Sequence, residues 1–258
     1  MGHRSDNRPG SEPFETAWRA RFEEFAAGRD DDAGIAGWTT SGLEARLRRF
    51  AGLWKIQRNG ERWLDAGCGA GTYTRLLRAA GADVIGVDYS LPTIMKARTR
   101  TAPGVAYAVA DVRHLPFRPQ SFDGVLCFGV MQALGDAAPA IRELAAQAVP
   151  AGQVWIDALN RWCIVHAWDL LRRRLKGKPI HLRYESPWAI RRSMALHGLT
   201  AIRVHWMPIV PARWPRLQRV VEGATARWIF RHVPLAGAIF CHSFIVCAER
   251  TADPHPPA

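Results

Sequence analysis

The sequence predicts an α/β fold, doubly wound around a mostly parallel sheet of seven strands. Three observations predict it. From residue 62 onward, short runs rich in Val, Ile, Leu and Phe alternate with stretches of helical periodicity, and Gly or Pro breaks separate them. Strands joined through helices need right-handed crossovers, which lay the strands parallel and cover both faces of the sheet. With 258 residues, 48% hydrophobic and 22% charged, the chain can build one such core and lies far from the composition of disordered chains.

The elements follow in order. Residues 1–13 are polar with Gly and Pro and read as a mobile tail, and 251–258 read as another. A helix starts at Ser41, where Ser41-x-x-Glu44 has the form of a capping box; it aligns Leu43, Leu47, Phe50 and Trp54 and ends near Gly60. Then come a strand at 62–66, a helix at 72–80 stopped by Gly81, a strand at 83–87, a helix at 92–100 and a strand at 105–109. A strand at 122–128, a helix at 139–149 stopped by Pro150 and Gly152, and a strand at 153–159 complete the regular part. Beyond Asn160 the pattern loosens into helices at 162–176 and 187–197, a strand at 200–206, a helix at 217–230 and a last strand at 239–248.

Five scattered cysteines (Cys68, Cys127, Cys163, Cys241, Cys247) form no C-x-x-C pair, which argues against a zinc site or a disulfide framework and fits a reducing cytoplasm. No leader-like start and no run of about 18 apolar residues occurs, so the expectation is a cytoplasmic chain that spans no membrane. The net charge is +12, and residues 161–232 hold fifteen Lys/Arg against only Asp169, Glu185 and Glu222. The whole excess therefore belongs to that region. Only four of the 35 basic residues are Lys, so an Arg-biased composition raises the total without explaining the clustering.

The sharpest motif is Trp63-Leu-Asp-Ala-Gly-Cys-Gly-Ala-Gly-Thr-Tyr-Thr74, in which Gly67, Gly69 and Gly71 follow a strand and open a helix. Such a turn lets backbone approach a nucleoside-bearing ligand at the carboxyl edge of a sheet. A dinucleotide fingerprint needs a third glycine at position 72, where Thr72 stands, and a phosphate loop needs Gly-Lys-Ser/Thr, which is missing. The acidic Asp65 before the turn also suits a cationic ligand better than a pyrophosphate. S-adenosyl-L-methionine, with an ammonium and a sulfonium and no phosphate, is such a ligand. Twenty-one positions after Gly67, Asp88 ends the second strand, where a carboxylate can accept both ribose hydroxyls.

Together with Asp111-x-x-x-Leu-Pro-Phe117 and Ser121-Phe-Asp-x-Val-Leu126, these motifs make residues 60–160 resemble the class I S-adenosylmethionine-dependent methyltransferases, and within them the subgroup acting on quinones, lipids and other small molecules. The resemblance implies a Rossmann-like sheet with an antiparallel last strand. It implies that Gly67, Gly69 and Gly71 wrap the methionine and ribose part, with Asp65 near the amino group, Asp88 on the ribose and Tyr89 beside the adenine. Asp111 would accept the adenine amino group, Val112 would flank the ring, and Phe128 would line the cofactor near the transferred methyl. Tyr89 and Phe128 would serve equally well as core fillers. The domain would then run over 41–250, with a tail and lid over 1–40 that includes Trp38 and acceptor-side insertions at 161–185 and 209–236. Where the family often carries His-His, this chain reads Gln132-Ala133.

The acceptor is less legible. Cys127-Phe-Gly-Val-Met131 stands where nucleobase amino-methylating enzymes carry Asn/Asp-Pro-Pro-Tyr/Phe, and no paired acids suggest a metal. His166, His181, Tyr184 and Glu185 fall in the first insertion, but none is singled out as a base, because methyl transfer from a sulfonium needs mainly alignment and desolvation. The Arg- and Trp-rich stretch at 161–232 suits an anionic or lipid-linked small acceptor or a membrane surface. Phosphate and stacking contacts to RNA are the alternative, and a non-catalytic cofactor-binding protein is the third reading.

Overall fold

The computed structural model of the chain describes residues 11–178, 182–210, 214–233 and 235–251. The tails expected at 1–13 and 251–258 lie mostly outside these residues, as do His181 and Arg213.

The order is α1 (Ser11–Gly28), α2 (Asp32–Ile35), α3 (Thr40–Leu53), β1 (Arg62–Ala66), α4 (Thr72–Ala79), β2 (Asp83–Asp88), α5 (Leu91–Arg100), β3 (Ala106–Val109) and β4 (Phe122–Cys127). It continues through α6 (Ala138–Gln147), β5 (Ala148–Leu159), α7 (Ile164–Leu175), α8 (Pro187–Leu196), β6 (Leu199–Met207), α9 (Pro215–Val221), α10 (Ala224–His232), α11 (Ala236–Phe240) and β7 (Ser243–Arg250). The sheet runs β3-β2-β1-β4-β5-β7-β6. β1 to β5 pair in parallel, and β7 inserts antiparallel between β5 and β6. The strand order reverses between β1 and β4, the place where open α/β sheets leave a crevice at their carboxyl ends.

Two apolar layers sandwich the sheet. On one face Leu64, Val125, Ile156 and Phe244 meet Ile141 and Leu144 of α6 and Met194 of α8. On the other, Trp63, Val84, Leu126 and Ile245 meet Phe50, Trp54 and Leu77. Trp63 is fully buried; its indole N–H donates to Glu61 at 3.0 Å, and a Cβ on Gly124 would lie 2.3 Å from its ring. Gly124 is therefore the residue that lets the indole lie flat on β4.

Several boundaries differ from those the sequence predicts. α1 occupies a stretch read as tail and lid. The cap of α3 is Thr39, whose hydroxyl accepts the Gly42 amide at 3.2 Å, while Glu44 turns outward to Arg48. Ser41 therefore begins no capping box, and the helix stops at Leu53, well short of Gly60, because Trp54 leaves helical geometry to stack on Phe50. β5 starts at Ala148 rather than 153, since Ala148 pairs with Phe122 across a bulge. The helix expected at 217–230 breaks at Glu222–Gly223 into α9 and α10. Ile239 and Phe240 are helical, and β7 begins only where Ser243 comes into register with Leu159.

Candidate active site

The site grows from the end of β1. The Gly67 and Cys68 amides both donate to the Val87 carbonyl, at 2.7 and 2.8 Å, which folds the turn against β2. Gly67, Gly69 and Gly71 all adopt positive φ (78°, 52° and 83°), open to glycine and costly for other residues. Space excludes side chains as well: a Cβ on Gly67 would lie 2.2 Å from a Val130 methyl, and one on Gly71 would lie 2.6 Å from the Tyr107 hydroxyl.

Asp88, at the end of β2, accepts the Gly69 amide on one oxygen and the Ser90 amide on the other, each at 3.0 Å. Burial pushes its carboxyl up, against the lowering effect of the Ser90, Gly69 and Tyr89 amides. Asp65 is more deeply buried and accepts the Thr74 hydroxyl at 2.6 Å. Burial raises its carboxyl to about 7, with the Thr74 hydrogen bonds opposing and the nearby Asp88 adding to the rise.

A cleft of about 1020 Å³, partly open to solvent, lies over these strand ends. Of the residues singled out by sequence, Gly67, Gly69, Asp88, Tyr89, Asp111, Val112 and Phe128 line it, as does Trp38. Asp65 and Gly71 do not; they support the turn from behind and beneath. Asp111 is heavily engaged. One oxygen accepts the Arg113 amide and Nε, the other accepts Arg113 Nη2 and Arg19 Nη2, so its four lone-pair positions are taken. Burial would raise this carboxyl, but the Arg113 hydrogen bonds and the charges of Arg113 and Arg19 hold it at about 2.

The sequence reading missed α1. Glu15, Trp18, Arg19 and Phe22 line the cleft. Glu15 binds Arg113 at 2.6 Å and accepts the Gly135 amide at 2.8 Å, while Arg19 lies over the Tyr89 ring at 5.5 Å. Trp18, Phe22 and Phe25 stand at helical spacing, a signal present in the sequence. Tyr73 was missed too: it lines the cleft between Phe50 and Phe128, with a buried hydroxyl that has no partner among the described residues.

Beneath Trp38 lies a buried ion pair, Arg46 Nε to Asp157 Oδ2 at 3.2 Å. The other Asp157 oxygen accepts the Gly129 amide at 2.6 Å, which ties β5 to the loop after β4. The described residues of the first insertion stand apart from the cleft. His166 is buried against Tyr184 and His242, hydrogen-bonded to the Asn160 carbonyl at 2.8 Å, and burial lowers its pKa. Glu185 pairs with Arg183. The cleft thus combines an exposed glycine backbone, carboxylates and aromatic rings, a donor set suited to a cationic nucleoside.

Residues 64–156 match the methyltransferase domain family. The chain is 30% identical over 138 residues to a ubiquinone biosynthesis O-methyltransferase of Aliivibrio fischeri, an alignment spanning 50% of this chain and 59% of that relative. It is 28% identical over 205 residues to a malonyl-[acyl-carrier protein] O-methyltransferase of Pseudescherichia vulneris, covering 67% of this chain and 81% of the relative. Its fold resembles the magnesium protoporphyrin IX methyltransferase of Synechocystis, solved with bound SAH, with a TM-score of 0.58 and 17% identity over 93% of this chain and 97% of that one.

Proposed function

We propose, on the premise that this chain belongs to the class I S-adenosylmethionine-dependent methyltransferases through residues 64–156, that it transfers a methyl group to a small-molecule, anionic or lipid-linked acceptor. The observation that carries this reading is the convergence of the glycine turn, Asp88 and Asp111, from three successive strand ends, on one cleft. The residues fit the cofactor. Gly67 has a positive φ and a side chain there would strike Val130 in the wall of the cleft, so the turn presents bare backbone, and the Tyr73 hydroxyl is a donor unused among the described residues. When bound, S-adenosyl-L-methionine supplies an electrophilic methyl on a sulfonium.

The chain's own residues bind, orient and exclude water. Asp88 would accept the ribose hydroxyls, and Gly67 and Gly69 would present backbone to the methionine part. Tyr89 and Val112 would border the adenine, and Asp111 would accept its amino group in place of one arginine hydrogen bond. Phe128 would line the cofactor near the transferred methyl. Asp65 acts from behind, holding Thr74 and so the start of α4. Residues 14–38 serve as a lid that Glu15 and Arg19 latch to Arg113 and Asp111. A dry, aligned site suffices for in-line displacement, so no side chain is assigned as base.

Support for an O-linked small acceptor comes from the two O-methyltransferases named above. Support for a lipid-linked one comes from the exposed apolar side chains of α7 and α10. Isothermal titration of the cofactor tests the first half: wild type binds, and Asp88→Ala binds roughly tenfold to hundredfold more weakly, the value of one or two hydrogen bonds to a charged group. Absence of heat from wild type at high micromolar cofactor rejects it. Labelled-methyl transfer into host extract, separated into lipid, polar-metabolite and nucleic-acid fractions, tests the second; label confined to nucleic acid overturns the acceptor class.

A further inference from the structure

Soluble helices hide their apolar stripe, and α7 does not. Ile164, Trp168, Leu171 and Leu175 follow one another at helical spacing, and all are exposed, at 58, 65, 49 and 79%. His166 is the buried residue of that helix. α10 has no buried residue, and it exposes Trp228 by 59%. α11 exposes Phe240 by 63%. α11 packs against both α7 and α10, so the three helices make a continuous surface.

That surface is basic. Arg172, Arg173, Arg174 and Lys176 flank the stripe of α7, and Arg227 and Arg231 flank Trp228 on α10. By sequence, 161–232 holds fifteen cations against three acids. A contiguous apolar patch rimmed by cations, with half-exposed tryptophans, has the chemistry of a helix lying in a lipid headgroup region. The helices are too short and too polar to cross: among the described residues no helix is long and apolar enough to span a membrane.

Topology orients the surface. α7 leaves from the carboxyl end of β5, and α11 leads into β7 at the same end, where the Asn160 side chain donates to the Ala238 and Cys241 carbonyls, each at 2.7 Å. The cleft opens at that carboxyl edge too. We propose that α7, α10 and α11 form one docking face that rests on an anionic lipid bilayer, with the apolar side chains at acyl-chain level and the cations on lipid phosphates. This does not depend on the methyl-transfer reading.

The test is co-sedimentation of the full chain with phosphatidylcholine vesicles containing or lacking phosphatidylglycerol. Wild type should pellet with the anionic vesicles, be released as salt rises, and pellet poorly with phosphatidylcholine alone. Leu171→Glu with Trp228→Glu should weaken partitioning about tenfold or more, whereas Met95→Glu, on exposed α5, should not. Both variants should melt and bind the cofactor as wild type does. In wild type itself, anionic vesicles should blue-shift tryptophan emission, a readout that needs no variant. Failure of wild type to pellet at physiological salt, equal binding by the double variant, retention of an RNA oligomer in place of vesicles, or a wild-type dimer that the double variant splits would each overturn the proposal.

Discussion

Replacing Arg46 by Met should cost this protein about 3–5 kcal/mol, the range for breaking one side of a buried ion pair. The Arg46 and Asp157 side chains are 4 and 1% exposed. Arg46 also donates to the Gly42 carbonyl at 3.2 Å and lies 4.3 Å from the Trp38 ring centre. Without it, Asp157 keeps the Gly129 amide alone, a single neutral donor for a charge that burial already penalises. At roughly 2–4 °C per kcal/mol for a domain of this size, the melting temperature should fall by about 6–20 °C.

The pH dependence follows with a definite sign. Burial raises the Asp157 pKa in the folded state, and loss of Arg46 raises it further. Arg46→Met therefore gains stability relative to wild type as pH falls, because the lone carboxylate then takes up a proton, and it loses most at high pH. Adding Asp157→Asn removes the unpaired charge while keeping an oxygen for Gly129, and should restore about 2 kcal/mol. Calorimetric melts of wild type, both single variants and the double variant at acid and neutral pH provide the assay. A loss below about 1 kcal/mol in Arg46→Met, or a double variant no more stable than it, refutes the reasoning.

Gly67→Ala places a methyl 2.2 Å from Val130 at a φ of +78°. It should destabilise by about 1–3 kcal/mol and weaken cofactor binding at least tenfold by roughly 1.4 kcal/mol or more; Val130→Ala should recover part of the loss, and unchanged melting and binding would rule out the cradle geometry. Asp65 has a folded pKa raised to about 7 from the ordinary 3.8. Its ionisation therefore costs nothing below the ordinary value, and the cost grows as pH rises through that window up to its full size above 7. The ceiling is about 4 kcal/mol. Urea unfolding should show Asp65→Asn gaining on wild type from pH 5 to about 7 and levelling off above it, and a constant gap over pH 5 to 7 would remove the buried-carboxylate account.

The apolar runs at 62–66, 83–87 and 122–128 and the glycines between them made the parallel half of the fold legible, because each strand is buried on both faces and each turn needs a positive φ. The same logic brought Gly67, Gly69 and Asp88 to attention, the family resemblance added Asp111, and the four meet in one cleft. Residues whose place depends on partners far along the chain were harder to read. α1 carries weak amphipathic patterning, and its position rests on Glu15 meeting Arg113 and Gly135, 98 and 120 residues away. Ser41 and Thr39 look alike as caps, and only the path of the chain into α3 chose between them.

Local spacing and residue type by themselves determined the strand-turn-helix unit around Gly67 and the acid Asp88 at the end of the next strand, since backbone sterics and β pairing act over a few residues. Tertiary structure decided the rest. It folded α1 over the cleft, filled the lone pairs of Asp111 with two arginines, and moved Asp65 behind the turn it precedes. It also left the stripe of α7 facing outward, because whether an apolar face is covered depends on which distant helix arrives to cover it, and α11 reaches only part of it.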